Sequence, residues 1–316
     1  MDLDYVRLHL SLQTFNLQPG SDNRRLVLSM TTFSNRVRAT SLLAIKSLVT
    51  SEATFRYERF IITIPLVFRS GIWDSPNEPN SSVHLQRNNE IIQDVLSFYA
   101  QEFGVFKPVT GSTVKAFQND AHSIYLQFLE NQDFGPATKL LGALLVEKEP
   151  TTIILTVDDD IEYSPSLLPF IRSNTPADAA FSSVCQTTTS SYEFIAVHDG
   201  SWGAKWLWRR EPKLCPGWLV GWAGVAYRVS FFSGDVFLMA RNLSHACFLN
   251  DDVWLSGYLK FKGIVRVVYA TLPGGHHHRH PSLSLSVIPD AQGSLMLQCA
   301  VEMGFRTGRS MHHSSP

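Results

Sequence analysis

Three consecutive aspartates, Asp158, Asp159 and Asp160, follow the apolar segment 152–157. Ionised carboxylates on adjacent residues repel one another, and a bound divalent cation relieves that repulsion. Aspartate oxygens suit Mg²⁺ or Mn²⁺, and these ions also bind substrate phosphates. The pattern therefore predicts a metal site that holds a phosphorylated ligand. A solvated acidic turn after a strand is the alternative interpretation.

A second acidic pair, Asp251 and Asp252, follows Asn250, which is predicted to cap a helix that reaches about Lys262. The helix dipole stabilises carboxylates in a first turn, so helix-end chemistry alone would explain the pair. The functional interpretation is that one of them is a general base. Successive residues on a helix point in different directions, so only one of the two would serve at a given spot.

One lysine, Lys139, is predicted to lie near the start of a helix that has Pro136 in its first turn. A helix N-terminus favours anions, and a lysine there adds a positive charge for phosphate groups. Most lysines are solvent-exposed, so a solvated helix residue is the alternative.

A histidine run, His276-His277-His278-Arg279-His280, follows the last predicted strand. Neutral imidazole binds Mn²⁺ or Zn²⁺, so one of these side chains is a candidate metal ligand. Four histidines exceed what one ligand position requires, and part of the run is therefore interpreted as solvated loop.

The elements that must position these residues alternate between strands and helices, which favours an α/β fold with a mostly parallel central sheet. Ligands of such sheets bind outside the carboxyl ends of the strands, where the three aspartates are predicted to lie. Beyond Thr271 we expect only loop and tail. The predicted strands cover residues 25–31, 59–64, 152–157, 179–184 and 264–269, and the predicted helices end near Thr50, Phe103, Leu145 and Lys262.

Composition excludes several classes of protein. The 316 residues include 27 Lys+Arg and 28 Asp+Glu, a balance that excludes a dedicated nucleic-acid binder. The longest uncharged run, residues 214–227, is too short and too glycine-rich to span a bilayer. We expect the chain as given to be soluble, in the cytoplasm or, if an anchor lies outside this sequence, in the lumen of the secretory pathway. A dinucleotide-binding G-x-G-x-x-G after a strand and a P-loop are both absent from the sequence.

The four cysteines are far apart and form no C-x-x-C pair, which excludes a zinc ribbon. Three pairings are open if they are oxidised, and we expect reduced, buried thiols because free cysteine is among the most buried residue types. Two N-glycosylation triplets, at Asn80 and Asn242, weakly favour a secretory compartment. The cysteines are Cys185, Cys215, Cys247 and Cys299.

The aspartate segment, an apolar strand followed by Asp-Asp-Asp-Ile-x-Tyr, resembles the DXD motif of GT-A fold glycosyltransferases of the family-2-like type. Four more segments are similar to motifs of that family in the same order: residues 28–33, 133–139, 221–228 and 250–254. The resemblance covers roughly residues 25–270. It implies a GT-A fold, which is Rossmann-like with a mostly parallel sheet, and a metal-dependent, UDP-type nucleotide-sugar transferase.

The resemblance also implies roles for particular residues. Asp160 would ligate Mn²⁺ or Mg²⁺ together with Asp158 and, from the histidine run, His278. Asp252 rather than Asp251 would be the base of an inverting transfer to an acceptor hydroxyl of a glycan, protein or small molecule. The donor side would be formed by Thr31, Thr32, Asp133, Lys139, Asp158 and Asp159, and the acceptor side by Trp222, Gly224 and Tyr227. Aromatic faces stack on sugars, but an aromatic core under a loop is the alternative for the last group.

The implied organisation is an N-terminal extension (1–24), a GT-A domain (25–275) and a His-rich loop with a C-terminal tail (276–316). Within the GT-A domain, residues 25–165 would bind the nucleotide sugar and residues 166–275 the acceptor. Two alternatives stay open. One is a haloacid-dehalogenase-like phosphatase, which also uses an Asp-x-Asp strand and a later Asp-Asp. The other is an inactive protein of the same fold that binds glycan or nucleotide without turnover.

Overall fold

The computed structural model describes residues 25–33, 36–49, 57–67, 82–182, 184–188, 194–197, 213–268 and 289–305. The described strands are β1 (Leu26–Thr31), β2 (Arg59–Pro65), β3 (Lys107–Pro108), β4 (Lys115–Asn119), β5 (Ile124–Leu129), β6 (Ile153–Val157), β7 (Ala179–Ser182), β8 (Cys185–Thr188), β9 (Phe194–Val197), β10 (Lys213–Leu214), β11 (Trp218–Leu219), β12 (Val225–Arg228) and β13 (Val265–Val268).

The described α-helices are α1 (Leu42–Val49), α2 (Ser82–Phe103), α3 (Thr138–Val146), α4 (Leu167–Asn174), α5 (Asp235–Arg241), α6 (His245–Phe248), α7 (Asp251–Phe261) and α8 (Pro289–Glu302). Short 3₁₀ turns precede two of the described elements: Gly135–Ala137 leads into α3, and Gly221–Ala223 leads into β12.

The central sheet has ten strands in the order β10-β13-β7-β12-β6-β1-β2-β5-β4-β3. All of them except β4, β10 and β12 point the same way, so the sheet is mixed but mostly parallel. This confirms the predicted fold class. A separate three-stranded sheet has the order β11-β8-β9.

The central strands are buried on both faces, which explains their nearly continuous apolar sequences. In β1, Val27 belongs to one core cluster, whereas Leu28 and Met30 belong to the other. In β6, Ile154 belongs to the same core cluster as Val27, and Leu155 belongs to the same cluster as Leu28 and Met30. Helices cover each face, so polar chemistry is confined to the edge where the strands end.

The register of the two central strands fixes what meets at that edge. Met30 of β1 pairs with Val157 of the parallel strand β6. The residues that follow these two strands therefore leave the sheet side by side. This places the segment after Thr31 next to the segment that begins at Asp158.

All four cysteines are buried, as expected, but the prediction of reduced thiols is wrong. Cys185 is bonded to Cys215 and Cys247 to Cys299. The first bond joins β8 to the residue after β10, and the second joins α6 to α8. Each bond closes a loop of the chain and so restricts the unfolded state.

The expectation of loop and tail beyond Thr271 is wrong for residues 289–305, because α8 lies there. Its Cys299 and Ala300 are fully buried, and the helix packs beside α6 and α7. The pattern of residues 289–302 is interrupted by Gly293 and is weakly amphipathic, so it is a poor predictor of a helix. Within the described residues, no helix has the length and apolar character needed to cross a bilayer.

Candidate functional site

Asp158 leaves β6 at the carboxyl edge of the sheet and is held by two contacts. Its backbone N–H donates to the hydroxyl of Tyr163 at 2.7 Å, and its carboxylate accepts from the Lys139 amine, also at 2.7 Å. The Tyr163 hydroxyl in turn donates to the backbone carbonyl of Trp222 at 3.4 Å. The Asp158 side chain keeps 27% of its surface exposed, so it remains accessible to a ligand.

Asp159 points into the protein and anchors the neighbouring loop. Its two carboxylate oxygens accept from Thr32 Oγ1 and from Arg36 Nη1, each at 2.7 Å. Burial raises the pKa of Asp159 to about 6, against the opposing effect of the Arg36 guanidinium. Only 4% of the surface of Asp159 is exposed, so in this structure its carboxylate holds the segment after β1 in place and does not face the solvent. Thr32 and Asp159 are thus in contact with each other, and their predicted contacts with a nucleotide sugar stay a prediction.

Asp160 lies at the outer side of this edge. Its carboxylate is 3.4 Å from Arg36 Nη2, a long ion pair, and 18% of the side chain is exposed. Burial and the nearby Asp158 carboxylate both raise the pKa of Asp160. The charge of Asp158 therefore opposes ionisation of Asp160.

Lys139 joins the two acidic motifs. Its amine lies 2.7 Å from Asp158 and 3.0 Å from Asp251, and its side chain is only 7% exposed. Burial lowers the pKa of Lys139, but the carboxylates of Asp158, Asp251 and Asp252 outweigh it and raise the pKa well above its usual value. The alternative of a solvated helix lysine is wrong. The backbone also fixes α3 to the sheet, since Ser29 Oγ donates to the carbonyl of Lys139.

Asp251 and Asp252 open α7 and differ in what they contact. Asp251 is buried, and its Oδ2 faces Lys139 without the alignment of a hydrogen bond. Asp252 is partly exposed, and its Oδ2 accepts from the backbone N–H of Gly221 at 2.8 Å. Burial, with the charge of Asp251, raises the pKa of Asp252 well above that of an ordinary aspartate. Asp252 is thus the carboxylate that is suited to take up a proton near neutral pH.

Gly221 lies where these side chains converge. A Cβ at this position would stand 2.6 Å from Asp252 Oδ1 and 2.9 Å from the Lys139 amine. Only glycine fits without moving one of the two side chains. The turn that starts at Gly221 ends at Gly224, whose φ of +80° is in the region that favours glycine.

The three predicted acceptor residues have different placements. Trp222 is partly exposed and lies in the turn beside Asp252. Gly224 shapes that turn, and its carbonyl accepts from Ser182 Oγ at 2.9 Å. Tyr227 is 2% exposed and packs edge-on against Phe232, so it belongs to the core in this structure, and its contact with an acceptor stays a prediction.

Two residues that were predicted to bind the nucleotide sugar, Asp133 and Thr31, form hydrogen bonds with the backbone. The carboxylate of Asp133 accepts from the backbone N–H of Gly135 at 2.8 Å and so shapes the turn before α3. Thr31 Oγ1 donates to the carbonyl of Thr63 at 3.0 Å, which ties the end of β1 to β2. The turn positions Lys139 and the β1 end positions Thr32.

The donor set for a metal ion is small. Among the described residues, no group of three His, Cys, Asp or Glu side chains is arranged to hold one. His278 and the rest of the histidine run lie outside the described residues. Of the predicted metal ligands, Asp158 and Asp160 lie within the described residues, and both carboxylates are partly exposed. One or two carboxylates, completed by substrate phosphates and water, are a usual Mg²⁺ donor set, so the residues fit a metal that binds together with its phosphorylated ligand.

Two residues of the candidate site were not predicted from the sequence. Arg36 bridges Asp159 and Asp160, and Tyr163 holds the backbone of Asp158. Arg36 comes five residues after the end of β1, and a basic residue so close to the carboxyl end of a central strand is a usable signal. Tyr163 stands within the Asp-Asp-Asp-Ile-x-Tyr pattern itself.

Comparisons with known proteins give structural similarity only. No family model and no curated protein matches the sequence. The chain is similar to a solved structure of residues 1–349 of TarS from S. aureus, a glycosyltransferase, with a TM-score of 0.37 and 11% identity over 79% of this chain and 59% of that chain. It is also similar to a longer TarS structure, with a TM-score of 0.35 and 12% identity over 81% of this chain and 37% of that chain. The chain thus spans less than two thirds of either TarS chain.

Proposed function

We propose that this chain is a metal-dependent glycosyltransferase that moves a sugar from a UDP-linked donor to an acceptor hydroxyl with inversion. The observation that carries the proposal is the position of Lys139 between Asp158 and Asp251. This contact unites the acidic motif after β6 with the acidic motif that opens α7. One site thereby contains both the groups for a diphosphate and the group for an acceptor.

The donor side consists of Asp158, Asp160, Lys139 and Arg36. Asp158 and Asp160 would hold Mg²⁺ or Mn²⁺. When bound, the metal supplies Lewis-acid stabilisation of the diphosphate leaving group. Lys139 and Arg36 are fixed cations beside the same carboxylates, and they would favour the approach of a phosphorylated ligand to an otherwise acidic edge.

The acceptor side depends on Asp252. A general base must be ionised at the working pH and still bind a proton well, which a raised pKa provides. Burial and the charge of Asp251 raise the pKa of Asp252 to about 8, so it binds a proton well, and the Gly221 N–H orients it. Its ionised form is the base, and that form becomes dominant only as the pH rises through this pKa. Asp251 is committed to Lys139, so the structure favours Asp252, the residue chosen from the sequence.

The reaction is a single displacement. The acceptor oxygen forms a bond to the anomeric carbon, the bond from that carbon to the diphosphate oxygen breaks, and the acceptor proton moves to Asp252. Attack opposite the leaving group inverts the anomeric centre. Trp222, partly exposed beside Asp252, would contact the acceptor, which is a glycan, a protein or a small molecule.

The test is a panel of nucleotide sugars incubated with the protein and mixed acceptors, with and without Mn²⁺, while nucleoside diphosphate release is measured. We expect Mn²⁺ to stimulate the release of UDP from a UDP-sugar, and we expect an added acceptor to accelerate this release further. Release of phosphate from a phosphomonoester without nucleotide-sugar turnover would instead support the phosphatase alternative. Nucleotide binding with no turnover under any acceptor would support the inactive alternative.

A further inference from the structure

A glycosylation triplet, Asn242-Leu243-Ser244, occupies the short connection between α5 and α6. Asn242 is exposed, and its Nδ2 donates to the carbonyl of Leu238 at 2.9 Å. That bond uses one of the two amide hydrogens. The other can be replaced by a sugar while the bond to Leu238 is kept, so the folded protein accommodates a substituent on this nitrogen.

The neighbouring apolar surface is consistent with a covering group. Leu238 lies one helical turn before Asn242 and is 60% exposed. Residues four apart on a helix are neighbours on its surface. A glycan on Asn242 would therefore lie beside Leu238 and shield it from solvent.

The disulfides supply an independent observation about the compartment. Each of the four cysteines is paired. Disulfides persist in secreted proteins and in the lumen of the secretory pathway, and are rare in the cytosol. N-glycosylation of Asn-x-Ser triplets takes place on the secretory route, so the redox state of the chain and the exposed triplet point to the same place.

One contact bears on the order of events. The Ser244 hydroxyl, which completes the triplet, accepts from the backbone N–H of Cys247 and donates to Glu302 at 2.6 Å. Glu302 is the last residue of α8, and the bond between Cys247 and Cys299 holds α8 against α6. In the folded, oxidised chain this hydroxyl is engaged by Cys247 and Glu302, whereas the unfolded chain presents it free, which favours addition before α8 packs against α6.

We propose that Asn242 carries an N-linked glycan, added to the nascent chain in an oxidising secretory compartment before Cys247 bonds to Cys299. The sugar donor is a lipid-diphosphate-linked oligosaccharide. A bond forms between Asn242 Nδ2 and the anomeric carbon, the bond between that carbon and the diphosphate oxygen breaks, one amide proton is released, and the lipid diphosphate leaves. No electron transfer is involved.

The test expresses the protein from its complete natural reading frame in eukaryotic cells and compares it with Asn242→Gln and Ser244→Thr. The original protein should show a mobility shift on gels that a glycosidase removes. In Asn242→Gln the shift should be smaller by one glycan. In Ser244→Thr the full shift should remain, because threonine keeps both the triplet and the helix cap. Peptide mass spectrometry should find the glycan on Asn242 and, without reduction, both disulfide-linked peptide pairs.

Two results would overturn the proposal. An unmodified Asn242 peptide in protein that contains both disulfides would show that the triplet is not used. Free thiols at the four cysteines, with Asn242 unmodified, would also contradict the inference that the protein enters a secretory compartment. The order of events is checked with Cys299→Ser, in which the second disulfide never closes. Occupancy of Asn242 at or above the original level agrees with early addition, and lost occupancy contradicts it.

Discussion

Lys139 at the start of α3 and Asp251 at the start of α7 lie 3.0 Å apart, although more than a hundred residues separate them in the chain. The same amine is 2.7 Å from Asp158. A single buried cation therefore holds together the two acidic motifs that the proposed reaction needs.

Replacing Lys139 with Met should destabilise the protein and abolish transfer. The change leaves Asp158 and Asp251 without their buried cation, and removal of one partner from a buried ion pair costs about 3–5 kcal/mol. Urea unfolding measures the loss. The double variant Lys139→Met with Asp251→Asn should recover part of the stability but no activity. Equal stability of the single variant and the original protein would contradict the buried pairing.

Replacing Asp252 with Asn should lower the transfer rate by about 10²- to 10⁴-fold, the usual contribution of a general base. Donor binding should be unchanged, because Asp252 is assigned to the acceptor. In the original protein kcat/KM should rise with pH through the raised pKa of Asp252, since only the ionised form accepts a proton. This rise should be absent from the variant.

The matched control for Asp252 is Asp235→Asn. Asp235 also opens a helix, α5, but pairs with Lys262 and Tyr258 instead of the site. Its replacement should leave the rate and its pH dependence in place. A full rate in Asp252→Asn would remove that residue from the mechanism.

Replacing Gly221 with Ala should impair catalysis more than folding. The added Cβ meets the ends of two side chains, Asp252 and Lys139, which can move aside but then leave their working positions. Steady-state kinetics and thermal unfolding separate the two effects. Gly234→Ala is the control, because a Cβ there meets nothing within 4 Å. If the two alanine variants had the same kcat, the close approach at Gly221 would have no catalytic meaning.

The pH dependence of stability should carry a contribution from Asp159. Its pKa is raised from 3.8 to about 6, so between these values the folded protein binds more protons than the unfolded chain. The free energy of unfolding contributed by this group is therefore largest at low pH and falls as pH rises through about 6. Urea unfolding across this range should show a smaller fall in Asp159→Asn. A fall of the same size in both proteins would assign it to other groups.

The sequence predicted β1, β2, β6, β7 and β13 and the edge where the three aspartates follow β6, because continuous apolar runs and the residues that follow them are local signals. It missed β5, which is fully buried beside β2. It could not predict which partners the aspartates take. Arg36 pairs with Asp159 through the register of β1 and β6, a relationship that no local pattern contains. The disulfide pairs and the burial of Tyr227 are long-range outcomes of the same kind. Lys139 was identified, but its engagement by both acidic motifs required the fold.

The most direct test of the proposed site is calorimetric titration of UDP into the original protein and into Asp160→Asn, each with and without Mn²⁺. Asp160 is partly exposed, and its ion pair with Arg36 is long, at 3.4 Å. Its replacement should therefore spare the fold, which thermal unfolding verifies. We expect Mn²⁺ to strengthen UDP binding to the original protein and to have no such effect on the variant. UDP binding that is equally tight with and without Mn²⁺ in both proteins, or no UDP binding at all, would contradict it.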